Sequence, residues 1–149
     1  MDELIYDVIN SETELNPTTK VQYDLNNIPL DSDELLVQAN PDLFYVAFSN
    51  IVSNAIKYGN EYPIRILLDF DHKNVIIKVM DQGIGIPASD LPNIFYSFYR
   101  ASNVGDIYGN GLGLVLARNI FTLHDVELSL ESDENIGTTV TIKIPKPVF

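Results

Sequence analysis

The sequence predicts an α+β two-layer sandwich, in which a mixed and mainly antiparallel sheet of about five strands carries about three helices on one face. Two strand–turn–strand units, at 63–81 and 126–145, indicate antiparallel pairs. Two longer segments, at 41–58 and 112–124, repeat their apolar residues at helical spacing. The length of 149 residues fits one domain, which we assign to 1–149.

The first forty residues are predicted to add one helix and two short strands. Apolar residues recur at helical spacing in 2–10, whereas the polar run 11–19 is typical of a loop. Short strands are predicted at 21–26 and 35–39, on either side of a turn-rich segment.

Local sequence signals predict where the remaining elements begin and end. Asn40 is the expected N-cap of the helix 41–58, and Gly59 is expected to end it. The stretch 82–110 is the least regular part of the chain because it is rich in glycine and proline. It is predicted to contain one short helix, around 90–99.

The composition excludes several classes of function. The chain has 21 acidic and nine basic residues, and its net charge of −12 argues against nucleic acid or anionic lipid as a partner. It has no cysteine, which excludes a disulfide framework and a thiolate metal site. No apolar run approaches the ~18 residues that a membrane span needs. A polyphosphate ligand is compatible with this negative net charge if basic side chains, backbone amides and Mg²⁺ compensate the charge of the ligand locally.

Three segments together indicate a nucleotide pocket: NIVSNAIKY at 50–58, DQGIGIP at 81–87 and GNGLGL at 109–114. The first places two asparagines, a lysine and a tyrosine within about 100° of arc on one helix, beside its apolar face. Amide oxygens suit Mg²⁺, and the lysine one turn later suits phosphate oxygens. For this segment by itself, a solvated helix flank is the structural alternative.

The two glycine segments are expected to form the other walls of the pocket. Asp81 ends a strand, and its carboxylate can accept from an exocyclic amine, which selects adenine over guanine; an ordinary Asp-capped turn is the alternative. Gly83 and Gly85 permit backbone conformations that are closed to other residues. GNGLGL opens a helix, whose free N–H groups favour phosphates. Arg100 is the only basic residue between Asp81 and Ala117, so it is the expected side-chain partner of phosphate there.

In this order, the segments resemble those of the catalytic, ATP-binding domain of bacterial sensor histidine kinases. These proteins belong to the GHKL superfamily, together with DNA gyrase B, heat-shock chaperone ATPases and mismatch-repair ATPases. NIVSNAIKY resembles the N-box, and DQGIGIP and GNGLGL resemble the first and second glycine boxes. IFYSFYRAS at 94–102 resembles the F-box, and GTTVTIKIP at 137–145 resembles the closing glycine–threonine strand. The resemblance implies a Bergerat-type fold with ATP and Mg²⁺ as cofactors.

The resemblance also implies a role for each matching residue. Asn54 would ligate Mg²⁺, and the residues implied in catalysis are Asn50, Lys57 and Arg100. Phe95 and Phe98 would anchor an ATP lid at 97–110, which is expected to be mobile without nucleotide. The residues implied in cofactor binding are Asn50, Asn54, Lys57, Tyr58, Asp81, Gly83, Gly85, Ile86, Arg100, Gly109, Gly111, Leu112, Gly113, Leu114, Thr138 and Thr139, with either threonine completing the adenine end.

The implied function is transfer of the γ-phosphate of ATP to a histidine on a separate domain, for relay to a response regulator. Neither His72, in a predicted turn, nor His124, at a helix end, is expected to be the acceptor. The expected partners are therefore an acceptor domain and a response regulator. Residues 1–20 are expected to be a remnant of, or linker from, a dimerisation domain. The chain is expected to be the cytoplasmic domain of a membrane-anchored bacterial kinase, with membrane contact only through other parts of that protein.

Two other functions stay open. One is an ATPase or protein-serine kinase of the same superfamily. ATPases of that group commonly use a carboxylate base on the N-box helix, and Asn50 in the corresponding place disfavours hydrolysis. The other is a nucleotide-binding regulatory domain without transfer activity, which would bind ATP but would not label a supplied histidine.

Overall fold

A computed structural model describes residues 1–31 and 36–148 of the chain. The helices are α1 (Asp2–Leu15), α2 (Pro41–Tyr58) and α3 (Gly113–Leu123), and the strands are β1 (Val21–Leu25), β2 (Ile64–Phe70), β3 (Asn74–Asp81), β4 (Glu127–Asp133) and β5 (Gly137–Pro145). A 3-10 turn spans Leu91–Asn93. None of the helices in these described ranges is both long and apolar enough to cross a membrane.

The five strands form one mixed sheet with the order β1-β2-β3-β5-β4. β1 runs parallel to β2, and the other three neighbouring pairs are antiparallel. The parallel pair follows from the chain path, because α2 lies between β1 and β2 and a parallel pair needs a crossover of this kind. The predicted fold class, with three helices and a mainly antiparallel five-stranded sheet, is confirmed.

The core lies between the helices and one face of the sheet. Alternate residues of β2, from Ile64 to Phe70, are buried, whereas Arg65 on the opposite face is exposed. α2 and α3 cover the buried face, and where they meet the rings of Phe44 and Phe121 pack edge to face at 5.5 Å. Burial of this single apolar face is what holds the two layers together.

Capping residues set the position of α2, the helix that carries the first of the three segments. The side chain of Asn40 accepts hydrogen bonds from the backbone N–H groups of Asp42 and Leu43, at 3.0 and 3.1 Å. At the other end Gly59 approaches the Ala55 carbonyl so closely that an added Cβ would lie 2.4 Å from its oxygen. The predicted bounds of this helix are therefore confirmed.

Three local predictions were wrong. α1 continues to Leu15 through the predicted loop, because Glu12 is buried and its carboxylate accepts a 2.5 Å hydrogen bond from Ser49 on α2. Residues 36–39 form no strand, and Leu35 lies outside the described residues. The helix predicted around 90–99 is reduced to the 3-10 turn, and a positive φ at Phe98 prevents a helix from continuing through that residue.

Candidate functional site

A cavity of about 230 Å³ lies between α2, the inner face of β3 and β5, and the long connection from β3 to α3. Three stretches of the chain that are distant in sequence, 50–58, 79–114 and 130–140, contribute to its wall. The predicted site residues that line it are Asn50, Asn54, Lys57, Tyr58, Asp81, Gly85, Ile86, Arg100, Gly109, Gly111, Gly113, Leu114 and Thr138.

Three predicted site residues do not line the cavity. Thr139 points to the opposite side of β5 from the buried Val140, so Thr138 is the threonine that reaches the site. Leu112 precedes α3 as its N-cap, and its backbone N–H donates to the side chain of Asn110 at 3.2 Å. Gly83 lies behind the wall, against the last turn of α2.

The two phenylalanines expected to anchor the lid have different environments. Phe95 is half-buried and lies under the Arg118 guanidinium, 5.0 Å from the ring centroid. Phe98 is 72% exposed, so its ring does not pack into the domain. Its backbone N–H donates to the Gly111 carbonyl at 3.1 Å, which joins the two ends of the lid.

One end of the cavity combines apolar walls with a single carboxylate. The carboxylate of Asp81 accepts from the Gly83 N–H at 2.9 Å. Burial raises the pKa of Asp81, and backbone N–H groups of Gly83 and Thr138 oppose that rise. The apolar side chains nearby are those of Val79, Ile84, Ile86, Ile94, Leu114, Leu130 and Val140. A flat heterocycle with an amine on its edge suits such a surface.

Backbone hydrogen bonds from several elements hold the first glycine turn in place. The Ile84 N–H donates to the carbonyl of Tyr58 at 3.0 Å, and the Asn135 N–H donates to the carbonyl of Ile84 at 2.8 Å. The Ile86 N–H donates to the hydroxyl of Ser132 at 2.8 Å, and that hydroxyl lies 2.7 Å from the hydroxyl of Thr138. This end of the cavity is therefore preorganised.

The other end carries the asparagines of α2. Asn50 donates to the Val46 carbonyl at 2.8 Å, and its side-chain oxygen faces Gly113 so closely that an added Cβ there would lie 2.7 Å from it. Asn54 is half-buried and lines the cavity, and its side chain forms no hydrogen bond within the described residues. Its free amide oxygen fits Mg²⁺, which binds hard oxygen ligands and takes few of them from protein.

Two cations that line the cavity lie close to each other, and Lys57 faces the second glycine segment, as Asn50 does. The pKa of Lys57 is lowered, first by burial and then by the nearby Arg100 guanidinium. Within the described ranges neither side chain has an ion-pair partner, although Arg100 donates to the Ile107 carbonyl. An added Cβ at Gly109 would lie 3.2 Å from the Lys57 Nζ and 3.3 Å from the Tyr58 hydroxyl. Two adjacent, unpaired cations in a chain with a net charge of −12 fit a polyanion.

Other residues of the site were missed by the sequence analysis. Ser132 is one, although a polar residue following Leu128 and Leu130 on the inward face of β4 is a usable signal. Apolar wall residues could not be told from core residues by pattern. The lining residues not predicted are Ile51, Ser53, Ala55, Val79, Ile84, Ile94, Tyr99, Ala101, Val104, Asn110, Leu130 and Val140.

Comparison with known proteins gives a consistent result. Residues 39–148 match the family model described as histidine kinase-, DNA gyrase B-, and HSP90-like ATPase. The chain is 34% identical over 122 residues to the heme sensor protein HssS of Staphylococcus saprophyticus, covering 79% of this chain and 26% of that protein. It is 36% identical over 115 residues to the sensor histidine kinase YkoH of Bacillus subtilis, covering 76% of this chain and 25% of that protein. The chain thus spans about a quarter of the length of these relatives.

Solved structures show the same fold. The mycobacterial sensor histidine kinase MprB superposes with a TM-score of 0.80 at 22% identity, over 99% of this chain and 97% of that one. The nucleotide-free catalytic domain of the histidine kinase ThkA superposes with a TM-score of 0.76 at 26% identity, over 97% and 93% of the two chains. The chain therefore belongs to the histidine kinase-, DNA gyrase B- and HSP90-like ATPase family and is a catalytic domain of the sensor histidine kinase type.

Proposed function

We propose that this domain binds Mg-ATP in the cavity and transfers the γ-phosphoryl group to a histidine on a separate domain, which passes it to a response regulator. The observation that carries the proposal is the polarity of one cavity. A half-buried carboxylate lies with apolar side chains on the wall that β3 and β5 form, and two unpaired cations and an asparagine amide lie on the wall that faces the second glycine segment. Mg-ATP has the same two parts: a flat apolar base with an amine on its edge, and a negatively charged triphosphate that carries the metal.

At the adenine end, the Asp81 carboxylate would accept from the exocyclic amine of the base. The Thr138 hydroxyl lies beside it, held by Ser132. Ile86 and Leu114 would contact the faces of the ring. Because the turn is fixed by hydrogen bonds from α2, β4 and the β4–β5 turn, little conformational entropy would be lost there on binding.

At the phosphate end, Asn54 would hold Mg²⁺, with Asn50 one turn earlier to hold water or a phosphate oxygen. When bound, the metal would neutralise charge on the phosphate oxygens. Lys57 and Arg100 would bind the outer phosphates and orient the terminal one for in-line attack. Phosphoryl transfer requires positioning and charge neutralisation more than covalent chemistry by the protein, and these side chains can supply both.

The absence of a carboxylate at the phosphate end favours transfer over hydrolysis. Asp81 is the only acidic residue among the described residues that line the cavity, and it lies at the apolar end. The amide of Asn50 is a poor base for activating water. An ATPase therefore fits the site less well than a kinase whose acceptor supplies its own nucleophile.

Neither histidine of this chain suits the role of acceptor. His124 accepts from the Asn40 N–H at Nε2 and donates to the Ile120 carbonyl from Nδ1, at 3.3 and 2.7 Å, so both ring nitrogens are engaged. His72 lies in the turn before β3, at the end remote from Asp81. At about 3.3 Å per residue, the length of β3 separates the two by more than about 20 Å.

We further propose that the domain works in the cytoplasm as part of a longer, membrane-anchored kinase. The relatives named above are about four times longer than the matched region, and two-component sensors pass their signal to a response regulator. Contact with a membrane would then involve other parts of that protein. The acceptor domain would be a further partner.

Titration calorimetry with ATP and GTP, with and without Mg²⁺, tests the nucleotide assignment. Asp81→Asn should weaken ATP binding by roughly 1–3 kcal/mol, because a buried polar group loses its partner. Asp125→Asn, at an exposed position after α3, removes the same charge and should leave affinity unchanged. Equal affinity of the wild type for ATP and GTP would refute the adenine assignment.

A labelling assay distinguishes the kinase from a regulatory domain that only binds nucleotide. The chain alone should take up no phosphate from γ-labelled ATP. Adding a histidine kinase acceptor domain from a relative should give label on that domain. Tight ATP binding without any labelling of several acceptor domains would favour a regulatory domain that only binds nucleotide.

A further inference from the structure

Asp90 is a buried carboxylate that the proposed chemistry does not use. Asp90 is 6% exposed and lies just before the 3-10 turn. It is not among the described residues that line the cavity. An ionised carboxylate in such a position is costly unless hydrogen bonds compensate the loss of water. The partners of Asp90 therefore show what the residue stabilises.

Within the part of the chain that the structure describes, all the hydrogen bonds that the Asp90 carboxylate accepts come from the lid at 97–110. The Tyr99 hydroxyl donates to one carboxylate oxygen. The backbone N–H and the hydroxyl of Ser102 donate to the other oxygen, at 2.9 and 2.8 Å. Tyr99 and Ser102 lie on either side of Arg100 and Ala101, which line the cavity. Asp90 thus holds both ends of the short stretch that carries Arg100.

A second contact fixes the same part of the lid. The side-chain amide of Asn103 donates to the carbonyl of Gly85 at 2.9 Å and to that of Ile84 at 3.3 Å. Residues 99–103, here called the anchored half, are therefore tied both to Asp90 and to the first glycine turn.

The rest of the lid, residues 104–110 or the free half, has hydrogen bonds only to the anchored half or to its neighbours in sequence among the described residues. The Arg100 guanidinium donates to the Ile107 carbonyl, and the Leu112 N–H donates to the Asn110 side chain. Its backbone hydrogen bonds are local, from Val104 to Ala101 at 3.4 Å and from Ile107 to Val104 at 3.1 Å. A Cβ added at Gly105 would have no atom within 4 Å, and Tyr108 is 91% exposed. The two halves thus differ sharply in what holds them to the domain.

We propose that Asp90 is a positioning residue: it holds the anchored half in place without nucleotide, so that Arg100 faces the cavity in advance, and only the free half moves to admit the ligand. The hydroxyl of Tyr99 and then the groups of Ser102 keep the pKa of Asp90 below its usual range, so the carboxylate is ionised at neutral pH and its hydrogen bonds are charge-assisted. The effect on ATP rests on the proposed function, whereas the rigidity of the anchored half does not.

Hydrogen exchange of the nucleotide-free chain, followed by mass spectrometry, tests the division of the lid. The amides of 99–103 should exchange more slowly than those of 104–110. Asp90→Ala should speed exchange in 99–103 about tenfold or more, since hydrogen bonds to a charged group are lost. Asp106→Ala removes an exposed carboxylate from the free half and should leave 99–103 unchanged. Equal exchange in the two halves of the wild type would overturn the proposal.

Milder variants cover the case in which Asp90→Ala does not fold. Tyr99→Phe and Ser102→Ala each remove one hydroxyl that donates to the Asp90 carboxylate. Each should speed exchange in 99–103 by a smaller factor than Asp90→Ala. Exchange that rises across the whole chain, or that stays unchanged in all variants, would contradict a positioning role.

Titration with Mg-ATP adds the functional readout. Asp90→Ala should raise the dissociation constant about tenfold, and Tyr99→Phe should raise it less, because Arg100 must then be ordered on binding. Faster exchange in 99–103 with unchanged affinity would overturn the positioning of Arg100. If the wild type bound no ATP at all, the proposed function would fail, while the exchange experiment would still decide whether Asp90 anchors the lid.

Discussion

Replacing Gly83 with alanine tests how closely two walls of the cavity must approach each other. Gly83 is buried against the last turn of α2, and a Cβ added to it would lie 1.8 Å from the Tyr58 carbonyl oxygen and 2.6 Å from the Gly59 Cα. Protein Cβ atoms essentially never come within 3.0 Å of such atoms. Both neighbours are backbone, so no side chain can turn aside, and the glycine turn must move away from α2.

The cost can be worked from the contacts that would be lost. Overpacking of a buried site costs about 1–3 kcal/mol. Movement of the turn also breaks the 3.0 Å hydrogen bond from the Ile84 N–H to the Tyr58 carbonyl, which contributes about 1 kcal/mol. The free energy of unfolding should therefore fall by about 2–4 kcal/mol. For a chain of this size, that corresponds to a melting temperature lower by roughly 5–15 °C.

Urea denaturation and titration with Mg-ATP measure the two consequences. Gly83→Ala should lose stability as calculated and bind ATP weakly, because Asp81 moves relative to α2. The matched control is Gly105→Ala, where φ is +53° but no atom lies within 4 Å, so only backbone strain of about 1 kcal/mol is expected. The reasoning would be refuted if Gly83→Ala were no less stable than Gly105→Ala.

Two further predictions concern titratable groups. The buried Tyr23 hydroxyl has no hydrogen-bond partner among the described residues, and burial, followed by the charge of Asp2, raises its pKa to about 12. Tyr23→Phe should raise the free energy of unfolding by about 1 kcal/mol in urea denaturation, and a less stable variant would contradict this. Because burial and Arg100 lower the pKa of Lys57 from its usual 10.5, the ammonium is lost at a lower pH than usual. The affinity of the wild type for Mg-ATP should therefore fall with rising pH before 10.5 is reached, whereas the Lys57→Arg variant should retain its affinity. Identical alkaline affinity profiles of the two proteins in calorimetry would exclude a role of the Lys57 charge in binding.

The elements that the sequence predicted well are those whose signals are local. The bounds of α2 follow from the N-cap at Asn40 and the glycine at 59, both of which act within one helical turn. α1 was predicted too short for the opposite reason. Its last turn is polar by composition, and it becomes helical because Glu12 finds a partner in Ser49, 37 residues later. A contact of that kind leaves no local pattern.

The site shows the same division. Most of the polar residues and glycines of the cavity wall were predicted from three short segments and a family resemblance, whereas most of its apolar residues were not. Register decided between Thr138 and Thr139, since pairing of β3 with β5 sets Asp81 opposite Thr138. The role of Asp90 was not visible in the sequence, because an aspartate before a turn is common on surfaces. Ser132 carried only the weak signal of a polar residue on the inward face of β4.

The sequence by itself determined the chemistry of this protein: amide, ammonium and carboxylate groups at helical and turn spacings, and glycines where backbone must bend. These features depend on bonds and contacts within a few residues. Only the tertiary structure decided which of those groups share one cavity and which lie behind its wall. That outcome depends on strand register and on close approaches such as Gly83 against Tyr58, which arise when distant segments pack against the same core.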